Sequence, residues 1–233
     1  EIMPSLVGSE MCIRDSYTRW LFNTIMYAVV AGVGATIIAT FAGYAIATMR
    51  FPGRNALLAV TLAFMSIPST VITVPLFLMY SKIGLVGTPW AVIIPQLATP
   101  FGLYLMIIYA QTSIPVSLIE AAKLDGANTW TIFWKVGFPL LSPGFVTVLL
   151  FTLVGVWNNY FLPLIMLSDT NDYPLTVGLN MWLKMGAQGT ANGQVPNNLI
   201  ITGSLIAVVP LIIAFMFLQK YWQSGLAAGS VKQ

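Results

Sequence analysis

The sequence predicts an all-α, polytopic membrane protein with five transmembrane helices. Its 233 residues are 58% hydrophobic and only 7% charged, whereas soluble domains carry about 25% charged residues. The charged residues divide the chain into five long uncharged stretches, none of which shows the alternating pattern of an outer-membrane β-barrel strand. The stretches are 20–49, 55–81, 83–119, 136–168 and 185–219.

Each stretch yields one helix once its polar ends are removed. An α-helix rises about 1.5 Å per residue, so about 20 apolar residues cross a hydrocarbon core of about 30 Å. A loop at 111–138 joins the third span to the fourth. The predicted spans are 21–48, 56–80, 90–110, 139–167 and 198–219.

The basic residues predict the orientation, because Lys and Arg concentrate on the cytoplasmic side of a membrane. With the N-terminus outside and the C-terminus inside, more of them lie inside than outside, so we predict N-out, C-in. The inside residues are then Arg50, Arg54, Lys123, Lys135, Lys220 and Lys232, and the outside ones are Arg14, Arg19, Lys82 and Lys184.

The first residues look unlike the rest of the chain. Residues 1–16 begin without Met and have neither the basic nor the apolar region of a signal peptide. The stretch LVGSEMCIRDS within them resembles translated sequencing adapter. We therefore predict a non-native or disordered leader before a transmembrane domain at 17–233, and a lost earlier helix. A genuine extracellular leader is the alternative.

Composition excludes several kinds of site. The chain has a single cysteine, Cys12, so it offers no intrachain disulfide and no cysteine metal site. It has no His, which removes the commonest metal ligand, and we expect no metal site. A net charge of +3 is too small and scattered for nucleic-acid binding. There is no GxxxxGK[ST] phosphate loop, so we expect neither a cofactor nor ATP hydrolysis in this chain. The spans hold no charged residue, which disfavours a proton-driven carrier and leaves a sodium-coupled carrier or channel open.

The fourth predicted span contains two adjacent amides, Asn158 and Asn159, directly after Trp157. Amides at membrane depth must find hydrogen-bond partners. They could bond to a neighbouring helix, or line a watery path and meet a polar solute. Trp157, Asn158 and Asn159 are therefore pathway candidates, with helix packing as the alternative.

The loop at 111–138 contains the signals of two short helices. Ser117 and Glu120 form an S-x-x-E capping box that starts the first helix. Gly126 is placed to end it in the left-handed conformation, where we expect a Cβ to clash. Asn128 then caps a second helix, with Trp130, Phe133 and Trp134 on one face, and Pro139 opens the next span. The small residues 120–122 form an exposed helix that fits a groove on another protein.

In this loop the sequence resembles a known family. Residues 120–139 match the EAA loop, EAA-x3-G-x9-I-x-L-P, of binding-protein-dependent ABC importer permeases, with Val136 and Phe138 as mild apolar departures. Further motifs, including FPGR at 51–54 and GLAAGSVK at 225–232, resemble the carbohydrate branch and within it the maltose-type, MalG-like permeases. Members of that family usually have six helices.

The resemblance implies a permease subunit that forms half of the import pathway for a sugar or oligosaccharide across the inner membrane. It implies these partners: a second permease subunit, two ATP-binding cassette subunits that bind the ATP, an extracytoplasmic solute-binding protein, and membrane lipid. A permease for another solute class is the alternative. By the same resemblance the residues that couple to the ATPases are Glu120, Ala121, Ala122, Asp125, Gly126 and Pro139, and residues 225–232 reach the ATPases as well.

Overall fold

The computed structural model describes residues 3–187 and 197–230, in which the regular elements are helices and no β-strand occurs. Two short turns complete the helices, a π-turn at Phe133–Gly137 and a 3-10 turn at Thr170–Asp172. The helices are α1 Met3–Thr48, α2 Arg54–Met65, α3 Ser69–Lys82, α4 Trp90–Leu97, α5 Pro100–Ser113, α6 Val116–Leu124, α7 Thr129–Ile132, α8 Phe138–Trp157, α9 Phe161–Met166, α10 Leu175–Ala187 and α11 Asn197–Ser230.

The structure confirms an all-helical, polytopic chain. Within the described residues four helical segments are long and apolar enough to cross a membrane, and α2 with α3 would make a fifth if the interrupted pair is one span. The four are Ser16–Thr48, Trp90–Ser113, Thr129–Trp157 and Asn198–Gln219. α1 begins at Met3, inside the predicted leader; the non-native origin of that leader stays a prediction.

The predicted second span, 56–80, is not one continuous helix. α2 ends at Met65 and α3 starts at Ser69. Pro68 lies in the break, and its ring lacks an N–H and disfavours helical geometry in the residue before it. The chain closes α2 with tight turns instead, in which the Ser66 N–H donates to the carbonyl of Ala63 at 3.1 Å.

The predicted fourth span, 139–167, is wrong at both ends. Its helix runs without interruption from Thr129, so Pro139 does not open it, and it stops at Trp157. A continuous helix would need an N–H at position 163 to pair with the carbonyl of Asn159, but Pro163 has none. That carbonyl accepts the Thr176 hydroxyl at 2.9 Å instead, and α9 begins as a separate short helix.

The chain divides into two compact units, each with its own core. The first comprises Glu1–Val30, Ser69–Pro95 and Val154–Ala214, and the second comprises Ala31–Pro68, Gln96–Leu153 and Phe215–Gln233. Trp20, Leu175, Trp182 and Ile200 form the core of the first. Buried residues in the core of the second include Tyr44, Met106, Ile119, Phe133, Leu141 and Val148.

In the first unit, α1 holds the segment that precedes α10. The indole Nε1 of Trp20 donates to the carbonyl of Thr170 at 2.8 Å, and Nδ2 of Asn23 donates to the carbonyl of Asn171 at 2.7 Å. These bonds satisfy backbone carbonyls that no helix pairs. They therefore fix the entry to α10.

In the second unit, small residues let α1 approach its neighbours closely. Ala31, Ala35 and Ala39 are buried. A Cβ built on Gly43 would lie 2.7 Å from Cγ of Met106 on α5, so only glycine fits at this contact. Packing through small residues is how apolar helices associate in lipid.

Candidate functional site

The N-terminus of α6 differs from the predicted capping box. α6 begins at Val116 after Pro115, with no side-chain cap. Pro115 has the extended conformation of an N-cap, and its carbonyl accepts the Leu118 N–H at 3.1 Å. Because the helix starts before Ser117, this residue lies inside the first turn and does not cap it. Glu120 is exposed, and in the described part of the chain its carboxylate has no partner.

The C-terminus of α6 is a Schellman motif. The Ala127 N–H donates to the carbonyl of Ala122 and the Gly126 N–H to that of Lys123, both at 3.0 Å. Gly126 has φ +78°, which confirms the predicted left-handed glycine. The predicted steric clash is wrong, because a Cβ on Gly126 would meet nothing within 4 Å. Glycine is favoured there by backbone conformation alone, and Asp125 is the exposed cap residue before it.

The second helix of the loop starts as predicted and then continues into the membrane span. Oδ1 of Asn128 accepts the Thr131 N–H at 2.8 Å and so caps α7. α7 passes through the π-turn Phe133–Gly137 into α8, and the Phe138 N–H donates to the Phe133 carbonyl five residues earlier. Pro139 is an exposed residue of this continuous helix. A proline cannot donate to the preceding turn, and the wider π-turn lies directly before it.

α6 has an inner and an outer face. Ile119 is buried, and the half-buried Ala122 packs against the core of its own unit. Ala121 is exposed, as are the charged residues Glu120, Lys123 and Asp125. Leu124 is 89% exposed. The loop therefore presents Ala121 and Leu124 outwards, between charges of both signs, whereas Ala122 does not face outwards with Ala121.

An aromatic cluster joins this loop to α1. The predicted face of Trp130, Phe133 and Trp134 does form, with neighbouring ring centroids 5.1–6.0 Å apart. Its partners on α1 were not predicted: Phe41 and Tyr44 lie 4.7 and 5.0 Å from Phe133. Two aromatic residues three positions apart near the end of the first span are the signal that could have indicated this contact.

Gly137 lies under the cluster, in the π-turn. A Cβ on it would lie 2.7 Å from Cε2 of Tyr44, so the ring can pack only against a residue without a side chain. Gly137 was not predicted as a site residue, although it lies inside the matched motif. Its role depends on the neighbour from α1, which the spacing of the loop residues does not show.

The pathway candidates lie at the break between α8 and α9, in the first unit. Trp157 is buried, whereas Asn158 is exposed and its Nδ2 donates to the Val154 carbonyl at 2.9 Å. Asn159 is half-buried, and its Oδ1 accepts the Leu162 N–H at 3.4 Å. Both amides therefore have partners inside their own segment, and the exposed Asn158 side chain is the one that can also meet a solute.

Two further polar residues border this break. Oη of Tyr160 donates to Oδ1 of Asn180 at 3.0 Å, which links the start of α9 to α10. Sequence reasoning missed this pair, because α10 was not predicted as a separate helix. Within residues 3–187 and 197–230, no three His, Cys, Asp or Glu side chains are grouped to hold a metal ion. The predicted contact of residues 225–232 with a partner involves side chains outside the described ones.

Similarity to known proteins agrees with this architecture. The chain is 32% identical over 216 residues to the arabinooligosaccharides transport system permease protein AraQ of Halalkalibacterium halodurans, covering 93% of this chain and 75% of the relative. It is 34% identical over 213 residues to the osmoprotective compounds uptake permease protein GgtD of Synechocystis sp., covering 90% and 69%.

A solved structure and a family model give the same assignment. The chain is similar to the crystal structure of a bacterial ABC transporter involved in the import of the acidic polysaccharide alginate, with a TM-score of 0.75 and 28% identity over 89% of this chain and 75% of that one. Residues 32–227 match the model of the family described as "Binding-protein-dependent transport system inner membrane component". Since this match covers most of the chain, the protein belongs to the family of inner membrane components of binding-protein-dependent transport systems.

Proposed function

We propose that this chain is the permease subunit of an ATP-driven importer and forms half of the pathway for a sugar or oligosaccharide. A second permease subunit supplies the other half. Two separate ATP-binding cassette subunits bind and hydrolyse the ATP, so this chain needs no cofactor. An extracytoplasmic solute-binding protein delivers the substrate, and the predicted N-out, C-in orientation places α6 on the cytoplasmic side, where the ATPases dock.

The family match over residues 32–227 supports the import function, and the outer face of α6 is the observation that carries the docking part of this proposal. Leu124 is 89% exposed at the last turn of a short helix that a Schellman motif ends. Burying a leucine side chain fully contributes about 1.5–3 kcal/mol, and α6 itself is anchored through Ile119 and Ala122. α6 also exposes Val116 and Leu118, so a braced short helix presents several small and apolar residues of the kind that fit a groove on a partner protein.

The sugar substrate is supported by the relatives and by the chemistry of the break after α8. AraQ is named for arabinooligosaccharides, and the similar crystal structure is of an alginate importer. The exposed amide of Asn158 offers the donor and acceptor groups that sugar hydroxyls pair with. A permease for another solute is the second candidate, because GgtD is named for osmoprotective compounds.

The docking test compares two acidic substitutions on the same loop. Leu124→Glu places a charge on the outer face of α6, whereas Thr129→Glu adds the same charge at the exposed first position of α7, where a helix N-terminus tolerates it. We expect the ATP-binding subunit to co-purify with the Thr129→Glu permease and to be lost from the Leu124→Glu permease. Equal co-purification in both variants would remove α6 as the docking element.

The substrate test uses the assembled transporter in proteoliposomes with its binding protein. We expect ATP-dependent uptake of a labelled oligosaccharide, and stimulation of ATP hydrolysis by the sugar-loaded binding protein. Uptake of a small osmolyte without uptake of any sugar would favour the second candidate. Uptake that follows a sodium gradient and needs no ATP would contradict both.

A further inference from the structure

Two unpaired arginines flank the turn between α1 and α2. The turn and the start of α2 border an open cavity, the head-group cavity, lined by Arg50, Phe51, Gly53, Arg54, Asn55 and Ala56. Among the described residues, neither guanidinium makes an ion pair or hydrogen bond. Nε of Arg54 is buried with no partner, which is costly unless a ligand supplies an acceptor.

The chemistry of this cavity suits a phosphate group. Two guanidinium groups offer planar forks of N–H donors that match phosphate oxygens. Gly53, with φ +91°, precedes α2 and gives it no side-chain cap. The Arg54 N–H donates to the Phe51 carbonyl at 3.4 Å, and the N–H groups that follow it in the first turn add to the preference for an anion. Arg50 lies two residues beyond the apolar segment Ser16–Thr48, the depth at which lipid head groups begin.

A second cavity lies between α1, α2 and α5 in the same unit. We call it the tail cavity, and its volume is about 210 Å³. The hydroxyl of Thr61 already donates to the Leu57 carbonyl at 2.8 Å, and that of Thr99 accepts an N–H of α5. Both hydroxyls are therefore engaged in hydrogen bonds of their own helices, and the rest of the lining is apolar. The other lining residues are Ala35, Ile38, Ala39, Ala42, Val60, Phe64, Leu97, Ala98, Pro100 and Leu103.

The spacing of the two cavities matches one lipid molecule. At about 1.5 Å per residue, Val60 lies about 9 Å along α2 from Arg54. Ala42 likewise lies about 9 Å along α1 from its last residue, Thr48, which precedes Arg50 by two residues. Half of a hydrocarbon core of about 30 Å is about 15 Å, which is the reach of one acyl chain. A chain that starts at the head-group cavity therefore extends as far as the tail cavity.

We propose that an anionic phospholipid binds at this place. Its phosphate contacts Arg50 and Arg54, and one acyl chain enters the tail cavity. The apolar tail cavity favours a lipid over free phosphate, because free phosphate would leave it empty. An anionic lipid is favoured over a zwitterionic one, because the two arginines bring no carboxylate to pair with an ammonium group.

The test measures the lipid retained by the assembled transporter in nanodiscs of phosphatidylglycerol and phosphatidylcholine, by native mass spectrometry. We expect the unmodified protein to retain phosphatidylglycerol. Arg50→Gln combined with Arg54→Gln should reduce retention at least about tenfold, because one lost hydrogen bond to a charged group already has that effect. Arg50→Lys combined with Arg54→Lys should retain an intermediate amount. Lys82→Gln removes an exposed positive charge elsewhere and should change nothing.

The tail cavity has its own pair of variants. Ala42→Leu fills the cavity, whereas Ala59→Leu adds the same side chain at an exposed position of α2 outside it. We expect only Ala42→Leu to lower phosphatidylglycerol retention. If the arginine variants do not assemble, this pair of leucine variants tests the proposal in their place. The proposal is wrong if the unmodified transporter shows no preference for phosphatidylglycerol, if both leucine variants behave alike, or if inorganic phosphate displaces the lipid.

Discussion

Gly126 gives the sharpest test of how α6 ends, because two effects of an added side chain, steric clash and backbone strain, are separate at this position. A Cβ at this position meets nothing within 4 Å, yet φ is +78°. The cost of Gly126→Ala is therefore the cost of a left-handed conformation in a residue with a side chain, about 1–2 kcal/mol. That cost falls on the Schellman motif that ends α6.

This magnitude converts into a binding effect. If the strain shifts the end of α6 away from its native turn, one to two kcal/mol corresponds to about a 5- to 30-fold change in the population of the correct form. We expect the apparent affinity of the ATP-binding subunit to fall by the same factor. The affinity of the Gly126→Asn permease should lie between those of the unmodified and the Gly126→Ala proteins, because asparagine tolerates the left-handed region better than alanine.

The control is Gly155, which also has nothing within 4 Å of a Cβ but lies inside α8 without a positive φ. Gly155→Ala should be neutral or slightly stabilising, since alanine is the better helix residue by about 1 kcal/mol. The assay titrates purified ATP-binding subunit onto the permease in nanodiscs and measures ATP hydrolysis stimulated by the binding protein. Unchanged affinity in Gly126→Ala, or equal loss in Gly155→Ala, would refute the reasoning.

Three further predictions concern the pathway, the orientation and the aromatic cluster. Asn158→Ala should slow sugar uptake about two- to tenfold, the effect of losing one hydrogen bond, with the yield of assembled complex unchanged; normal uptake would remove its pathway role. In a variant without its native cysteine, a cysteine at position 184 should react with an impermeant thiol reagent on intact cells and one in place of Lys123 should not. The reverse labelling would overturn N-out, C-in. Gly137→Ala should destabilise the permease by about 1–3 kcal/mol, seen as a lower melting temperature, because its Cβ collides with Tyr44; an unchanged melting temperature would show that the ring moves freely.

Hydropathy and helix caps account for the parts of the fold that the sequence predicts well. The hydropathy of a span is summed over some twenty residues, so one polar or misassigned residue changes the prediction little. The caps at Asn128 and Gly126 occur as predicted, because each acts through its own side chain or backbone conformation and depends on no distant neighbour. The third predicted cap, at Ser117, does not form, because Pro115 precedes the start of α6 instead.

The breaks in the spans could not be predicted from the sequence. Pro75, Pro143 and Pro210 lie inside continuous helices, whereas Pro68 and Pro163 accompany interruptions. Membrane helices tolerate a proline when a neighbouring group satisfies the freed carbonyl. Whether such a group is present is a tertiary property, which the proline itself does not show.

The two alanines of the EAA sequence show the same limit at the level of one helix. Positions 121 and 122 look alike in sequence, and small size at both suits a narrow partner groove. In the structure Ala121 is exposed, but Ala122 packs against the core beside Ile119 and closes the Schellman motif through Ala127. A larger residue at position 122 would therefore displace α6 from its own unit before any partner is met. The inner face of α6 is therefore constrained by its own unit, and its outer face is the one open to a partner. A substitution that abolishes docking identifies the partner surface only if it changes an outward residue such as Ala121.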